Sequence, residues 1–152
     1  MGVAVYDEKI NNYHYLTGNQ TGAIILDYLG KYAPHNDKGE TCVYNTIVTS
    51  ELAKLICKKY NLKLVQTLTG FKYIGEQARL LEETNDKFFF GYEESYGCVV
   101  KDFVRDKDAL QACVILAEMA CFYKKQENKT LYDKLLDLYK EYGFFKDEVM
   151  SY

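Results

Sequence analysis

Apolar positions along this chain follow two alternating rhythms: short β-prone runs, and stretches in which hydrophobics return every three or four residues. Val3-Ala4-Val5-Tyr6 is a first β-prone run, and Asp7-Glu8-Lys9 with Asn11-Asn12 reads as the turn that ends it. Thr17 stands ahead of Gln20 at capping-box spacing. The following Ile24, Ile25, Tyr28, Leu29 and Tyr32 recur at helical spacing and stop near Gly30 and Pro34. After a polar loop from Pro34 to Glu40, Val43 to Val48 predicts a strand. Ser50 is placed to cap a helix striped by Leu52, Leu55, Ile56 and Tyr60.

Lys63 to Leu68 predicts a further strand, and Thr69-Gly70 turns into a helix carrying Ile74, Ala78 and Leu81. Phe88-Phe89-Phe90 is a third strand, Gly91 to Gly97 a polar loop, and Cys98-Val99-Val100 a short fourth strand. Asp108 and Gln111 repeat the capping-box spacing before the longest helix. Its apolar face is predicted as Leu110, Val114, Ala117 and Cys121, with Cys113 and Ala120 beside it. Thr130 caps a last helix through Leu131, Leu135, Leu138 and Tyr142, ending at Gly143. Strands alternating with helices predict a three-layer α/β/α sandwich around a small mixed, partly parallel sheet of about four strands.

Composition narrows the class. The chain has 152 residues, enough for one domain with a sizeable core. It carries 19 Lys and Arg against 22 Asp and Glu, interspersed, for a net charge of −3. That balance provides no electrostatic footprint for nucleic acid or an anionic membrane. The 15 tyrosines fall mostly beside aliphatics at helix or strand spacing, and so read as core or rim packing. Five cysteines form no CxxC pair and have no histidine close in sequence, which argues against a metal site or a disulfide framework. They read as small apolar fillers in a reducing, cytoplasmic compartment.

Three segments stand where an α/β sheet gathers ligands. Thr69-Gly70-Phe71-Lys72 joins a glycine to a new helix N-terminus; it is either an ordinary capped helix with a solvated lysine or a backbone cradle for an oxygen-rich ligand. Gly91-Tyr92-Glu93-Glu94-Ser95-Tyr96-Gly97 sets two carboxylates and a hydroxyl between glycines. Carboxylates accept from neutral hydroxyls, so this loop suits polyol recognition, and a solvated acidic turn is the alternative. Arg105-Asp106-Lys107-Asp108 puts cations at a helix entrance, where they oppose the helix dipole unless an anion sits there or the aspartates neutralise them.

Taken in order, these segments resemble the third domain of the α-D-phosphohexomutases, the phosphoglucomutase and phosphomannomutase family. The matching stretches are Leu16-Thr17-Gly18-Asn19-Gln20-Thr21-Gly22, Thr69 to Lys72, Tyr92 to Gly97, Val104 to Asp108, and Glu118-Met119-Ala120. The resemblance implies a four-domain isomerase of carbohydrate metabolism. Such an enzyme moves a phosphoryl group between sugar 1- and 6-phosphates through a bisphosphate, with magnesium and a sugar bisphosphate as cofactors.

The phosphoserine, the DxDxDR-type magnesium loop and the arginine-rich phosphate loop of such enzymes are missing from this sequence. The resemblance therefore implies a piece that is inactive alone and binds no cofactor itself. It assigns residues 1–15 to a trailing strand and turn of the metal-loop domain, 16–145 to the sugar-recognition domain, and 146–152 to an exit toward a fourth domain. It makes Glu93 and Ser95 the pair that binds sugar hydroxyls in two flipped ring orientations, and Thr69 and Gly70 a backbone contact to the sugar. Lys107 becomes a proton carrier or charge stabiliser near the reacting hydroxyl, and Arg105 a phosphate contact or a helix brace. The implied partners are a phosphosugar and the remaining domains. A stand-alone carbohydrate-binding or regulatory module with the same fold is the alternative.

Overall fold

A computed structural model of the chain describes residues 1–148. Strands β1 (Val3–Asp7) and β2 (Asn12–Leu16) form an antiparallel hairpin, which runs into helix α1 (Gly18–Tyr32). Strand β3 (Thr41–Thr46), helix α2 (Leu52–Lys59), strand β4 (Lys63–Thr67) and helix α3 (Phe71–Leu80) follow, then a one-turn 3₁₀ helix at Leu81–Glu83. Strands β5 (Lys87–Tyr92) and β6 (Cys98–Val99) complete a second sheet before helices α4 (Ala109–Glu127) and α5 (Leu131–Tyr142). That sheet has the order β4-β3-β5-β6, with β3 parallel to β4 and β5, and β6 antiparallel to β5. The architecture is the predicted α/β/α sandwich with a mixed, partly parallel four-stranded sheet.

Strand alternation divides the core between the two faces. Cys42, Tyr44, Phe88 and Val99 turn to α3, where they meet Phe71, Ile74 and Ala78. Val43, Phe90, Tyr92 and Cys98 turn to the larger cluster built with α1, α2, α4 and α5. Helix α1 runs through that cluster with all but three of its residues buried, so it is the central helix of the thicker layer. Its start is fixed locally: the Gln20 amide donates to Thr17 Oγ1 at 3.2 Å, and the Thr17 amide donates to Gln20 Oε1 at 2.9 Å. Its one buried charge, Asp27, accepts from the Tyr60 hydroxyl at 2.8 Å and lies 3.8 Å from Lys59 Nζ. Thr130 closes a second capping box with Asp133 at the start of α5.

Several sequence expectations shift. The expected turn narrows to residues 8–11: Asp7 ends β1 and Asn12 opens β2, a strand the sequence left unassigned, which pairs along the whole length of β1. Strand β3 ends at Thr46, two residues short of the predicted boundary: a turn closed by the Thr49 amide on the Thr46 carbonyl (3.0 Å) turns Ile47 and Val48 out to solvent. Glu51, not Ser50, is the N-cap of α2, and it makes no side-chain cap. Gln111 does not complete a capping box. Asp108 accepts from the Leu110 and Gln111 amides, while Gln111 Oε1 is engaged by the Val100 and Lys101 amides at 2.9 and 2.7 Å.

The largest shift is the face of α4. Its buried residues are Ala112, Ile115, Leu116, Met119 and Tyr123, and the predicted stripe points outward, with Leu110 78% and Val114 68% exposed. Cys113 and Cys121 are exposed with it, so only Cys42, Cys57 and Cys98 serve as buried fillers. The expected exit segment 146–152 lies mostly outside the described residues.

Candidate functional site

The parallel strands β3, β4 and β5 all end at one rim of the sheet, and the three chemically unusual segments meet there. Strand β5 leads into the acidic loop, and the Glu93 amide donates to the Gly97 carbonyl at 2.8 Å. That bond leaves Glu94, Ser95 and Tyr96 as the tip of a hairpin, with Tyr96 left-handed at φ 68°. The loop is pressed against the first turn of α1: a β-carbon on Gly18 would lie 2.0 Å from the Glu94 carbonyl oxygen and 2.7 Å from the Tyr96 amide. Only glycine allows that approach.

The adjacent glutamates point to different places. Glu94 turns down to the end of β3, where the Thr46 hydroxyl donates to its Oε2 at 3.0 Å. Thr46 Oγ1 and Thr49 Oγ1 are 2.8 Å apart. An ionised carboxylate only accepts, so Thr46 gives its single proton to Glu94 and Thr49 donates to Thr46. Both threonines are buried, which makes this chain a fixed brace rather than a solvated contact.

Glu93 is itself 6% exposed and faces the other way, toward Gly70 and Lys107. Burial raises its carboxyl above the usual glutamate range. The Lys107 charge and the nearby Gly70 backbone amide pull it partly back, while the Glu94 charge pushes it up. Gly70 presents that amide from a turn at φ 119°, a conformation open to glycine, immediately ahead of α3.

Lys107 reaches the same place from the other side. A β-carbon on Gly97 would stand 2.3 Å from Lys107 Cδ and 3.1 Å from Glu93 Oε2, so Gly97 is the notch in which both side chains meet. The Lys107 ammonium lies 5.2 Å from the Phe71 ring centroid and 2.8 Å from Asp106 Oδ1. A hollow of about 230 Å³ opens beside them, lined by Ser95, Gly97, Lys107 and Ala112 among others. Ser95 is exposed at the loop tip. The Asp108 amide bonds the Cys98 carbonyl at 2.9 Å, which ties the entrance of α4 to β6 and fixes Lys107 relative to the loop.

Glu93, Ser95, Gly70 and Lys107 are thus brought together, with Thr69 exposed on the turn beside Gly70. Arg105 is not. Its guanidinium pairs with Glu82 and donates to the Asp102 carbonyl at 2.8 Å, and it lines a separate open groove with Lys72, Glu76 and Arg79. Its backbone is packed against Gly75 of α3. Sequence reasoning missed the bracing role of Glu94, Thr46 and Thr49, and the Phe71 ring beneath Lys107. The acceptor-rich glutamate pair was visible, but its partners lie far away in sequence. Chemically, the arrangement sets a hydroxyl (Ser95) and a cation (Lys107) on one hollow, with the buried Glu93 carboxylate meeting Lys107 at the adjoining Gly97 notch, a set suited to a polyhydroxy, oxygen-rich ligand.

The family model described as "Phosphoglucomutase/phosphomannomutase, alpha/beta/alpha domain III" matches residues 17–142. The chain belongs to this family. Among curated phosphoglucomutases, that of Staphylococcus haemolyticus (strain JCSC1435) is 36% identical over 151 residues, which is 99% of this chain and 27% of the relative. One from Staphylococcus epidermidis (strain ATCC 12228 / FDA PCI 1200) is 37% identical over 152 residues, again 27% of its own length. This domain III chain therefore spans about a quarter of the phosphoglucomutases it matches. The fold agrees with a solved structure, the open form of the exocytosis-sensitive phosphoprotein pp63/parafusin (phosphoglucomutase) from Paramecium. The TM-score is 0.68 at 20% identity, over 88% of this chain and 22% of that one.

Proposed function

We propose that this chain is the sugar-recognition domain of a mutase that moves a phosphoryl group between the 1- and 6-positions of a phosphosugar through a bisphosphate. The observation that carries the reading is the meeting of Glu93 and Lys107 at the Gly97 notch, beside the Gly70 turn. Glu93 and Ser95 bind ring hydroxyls. The Thr69-Gly70 backbone contacts the sugar from the β4 side. Lys107 holds charge or a proton at the reacting hydroxyl. Arg105, held by Glu82, acts as a brace between α3 and the entrance of α4. Phosphoryl transfer depends mostly on positioning and charge stabilisation, and this domain contributes the positioning.

The rest of the chemistry belongs to other domains of a longer polypeptide in this reading. Magnesium is held by another domain in this reading, and no step through it is assigned to this chain. A sugar bisphosphate likewise needs phosphate-gripping loops beyond these residues. No helix is long and apolar enough to cross a membrane among the described residues. The free thiols of all five cysteines support a cytoplasmic setting.

Steady-state kinetics of the longer polypeptide on glucose, mannose and pentose phosphates test the reading. Glu93→Ala and Lys107→Ala should each lower kcat/KM by at least about a hundredfold, in the range of lost acid–base and positioning groups. Wild-type kcat/KM in both variants on every substrate would overturn the assignment. So would measurable turnover by the 152-residue chain alone.

A further inference from the structure

Helix α4 is apolar on two sides. Ala112, Ile115, Leu116, Met119 and Tyr123 enter the core, and a second stripe of Leu110, Cys113, Val114, Ala117 and Cys121 faces away from it. The spacing of that second stripe is itself helical, so it forms one continuous surface along about three turns. Leu110 and Val114 are among the most exposed large hydrophobics of the chain, at 78% and 68%. A helix that is hydrophobic all round belongs between two packed bodies.

We infer that the Leu110–Cys121 stripe of α4 is the docking face for an apolar surface of a preceding domain of the same polypeptide. The inference rests on the proposed reading of the chain as one domain of a longer mutase. Three observations choose this occupant. The curated relatives are nearly four times as long as the part they share with this chain, so a large further body is present in them to cover the face. The matching family model is a third domain, which puts other domains ahead of it in family members. The N-terminal residue lies on this side of the molecule: Met1 Sδ is 3.3 Å from Cys113 Sγ, and the Met1 amino group donates to the Tyr96 carbonyl at 3.0 Å. The same docking would wall off the hollow beside Lys107, since Met1 and Ala112 line it.

Cys113 and Cys121 make the face its own reporter. Thiol labelling with a maleimide, read by mass spectrometry, should modify both rapidly in the folded 152-residue chain, while buried Cys42, Cys57 and Cys98 stay unmodified. In the longer polypeptide both rates should fall at least about tenfold, as for groups exposed only by local opening. Val114→Glu should leave the thermal midpoint of the 152-residue chain unchanged and restore labelling in the longer polypeptide. Equal labelling in the two wild-type polypeptides would overturn the inference. So would concentration-dependent protection of Cys113 in the 152-residue chain, which would assign the face to a second copy. Mutase turnover of the longer polypeptide is measured alongside: turnover with unprotected cysteines refutes the docking face alone, and absent turnover refutes the functional reading beneath it.

Discussion

The Thr46 hydroxyl, at the buried end of β3, donates to a Glu94 carboxylate oxygen at 3.0 Å and so anchors the acidic loop to the sheet that carries it. With Glu94 held there, Glu93 alone of the pair faces Lys107 at the Gly97 notch. The bond also explains how two adjacent carboxylates avoid sharing one space: one is braced, and the other is presented.

Removing the brace should therefore cost stability before it touches chemistry. Thr46→Val keeps the shape but deletes the donor to a charged, partly buried acceptor and leaves the Thr49 hydroxyl without its acceptor. A loss of about 2 kcal/mol is expected, in the range for hydrogen bonds to charged groups. Urea unfolding checks it. An unchanged midpoint would mean that the loop is held by the Gly18 contact and the Glu93–Gly97 bond alone.

Glu93 should show the opposite sign. Its folded carboxyl is raised, chiefly by burial, so the folded state binds the proton more readily than the unfolded chain does. Stability then falls as pH rises through the window just above the ordinary glutamate range, and is regained as pH drops back through the raised value. Glu93→Gln should accordingly be more stable than the wild type at neutral pH, with the difference vanishing below about pH 4, where glutamate is largely protonated in both states. Paired urea titrations at the two pH values measure this. A variant less stable at neutral pH would show that the attraction of Lys107 outweighs the desolvation.

Several local signals in the sequence translated directly into structure. The Thr17–Gln20 box formed as its spacing implies, Thr130 caps α5 as expected and Gly143 holds the end of that helix, whereas Asp108–Gln111, at the same spacing, formed the cap without the reciprocal half of the box. The partly parallel sheet followed from strands alternating with helices. What was hidden is long-range or degenerate. Thr46 and Glu94 are 48 positions apart, and no local rule pairs them. Arg105 stood open between phosphate contact and helix brace because its partner, Glu82, sits in a different element. The face of α4 was misread because both of its sides are apolar at helical spacing, so periodicity sets the helix without setting its phase.

Substitution separates those two sides of α4. Met119 is fully buried and Val114 is 68% exposed. Met119→Ala should cost about 3 kcal/mol through lost burial and a cavity. Val114→Ala should stay within about 0.5 kcal/mol of the wild type in this chain. Thermal or urea unfolding of both variants decides the matter, and the reverse order would put the helix the other way round.

One titration addresses the shared pocket most directly: amide and side-chain shifts of the isotope-labelled chain, followed by NMR as glucose 1-phosphate is added to the limit of its solubility. The account predicts weak binding, with perturbations confined to Gly70, the Glu93–Gly97 loop and Lys107, and abolished by Glu93→Ala. Perturbations centred instead on Lys72, Arg79 and Arg105, or an unchanged spectrum at every concentration, would contradict it.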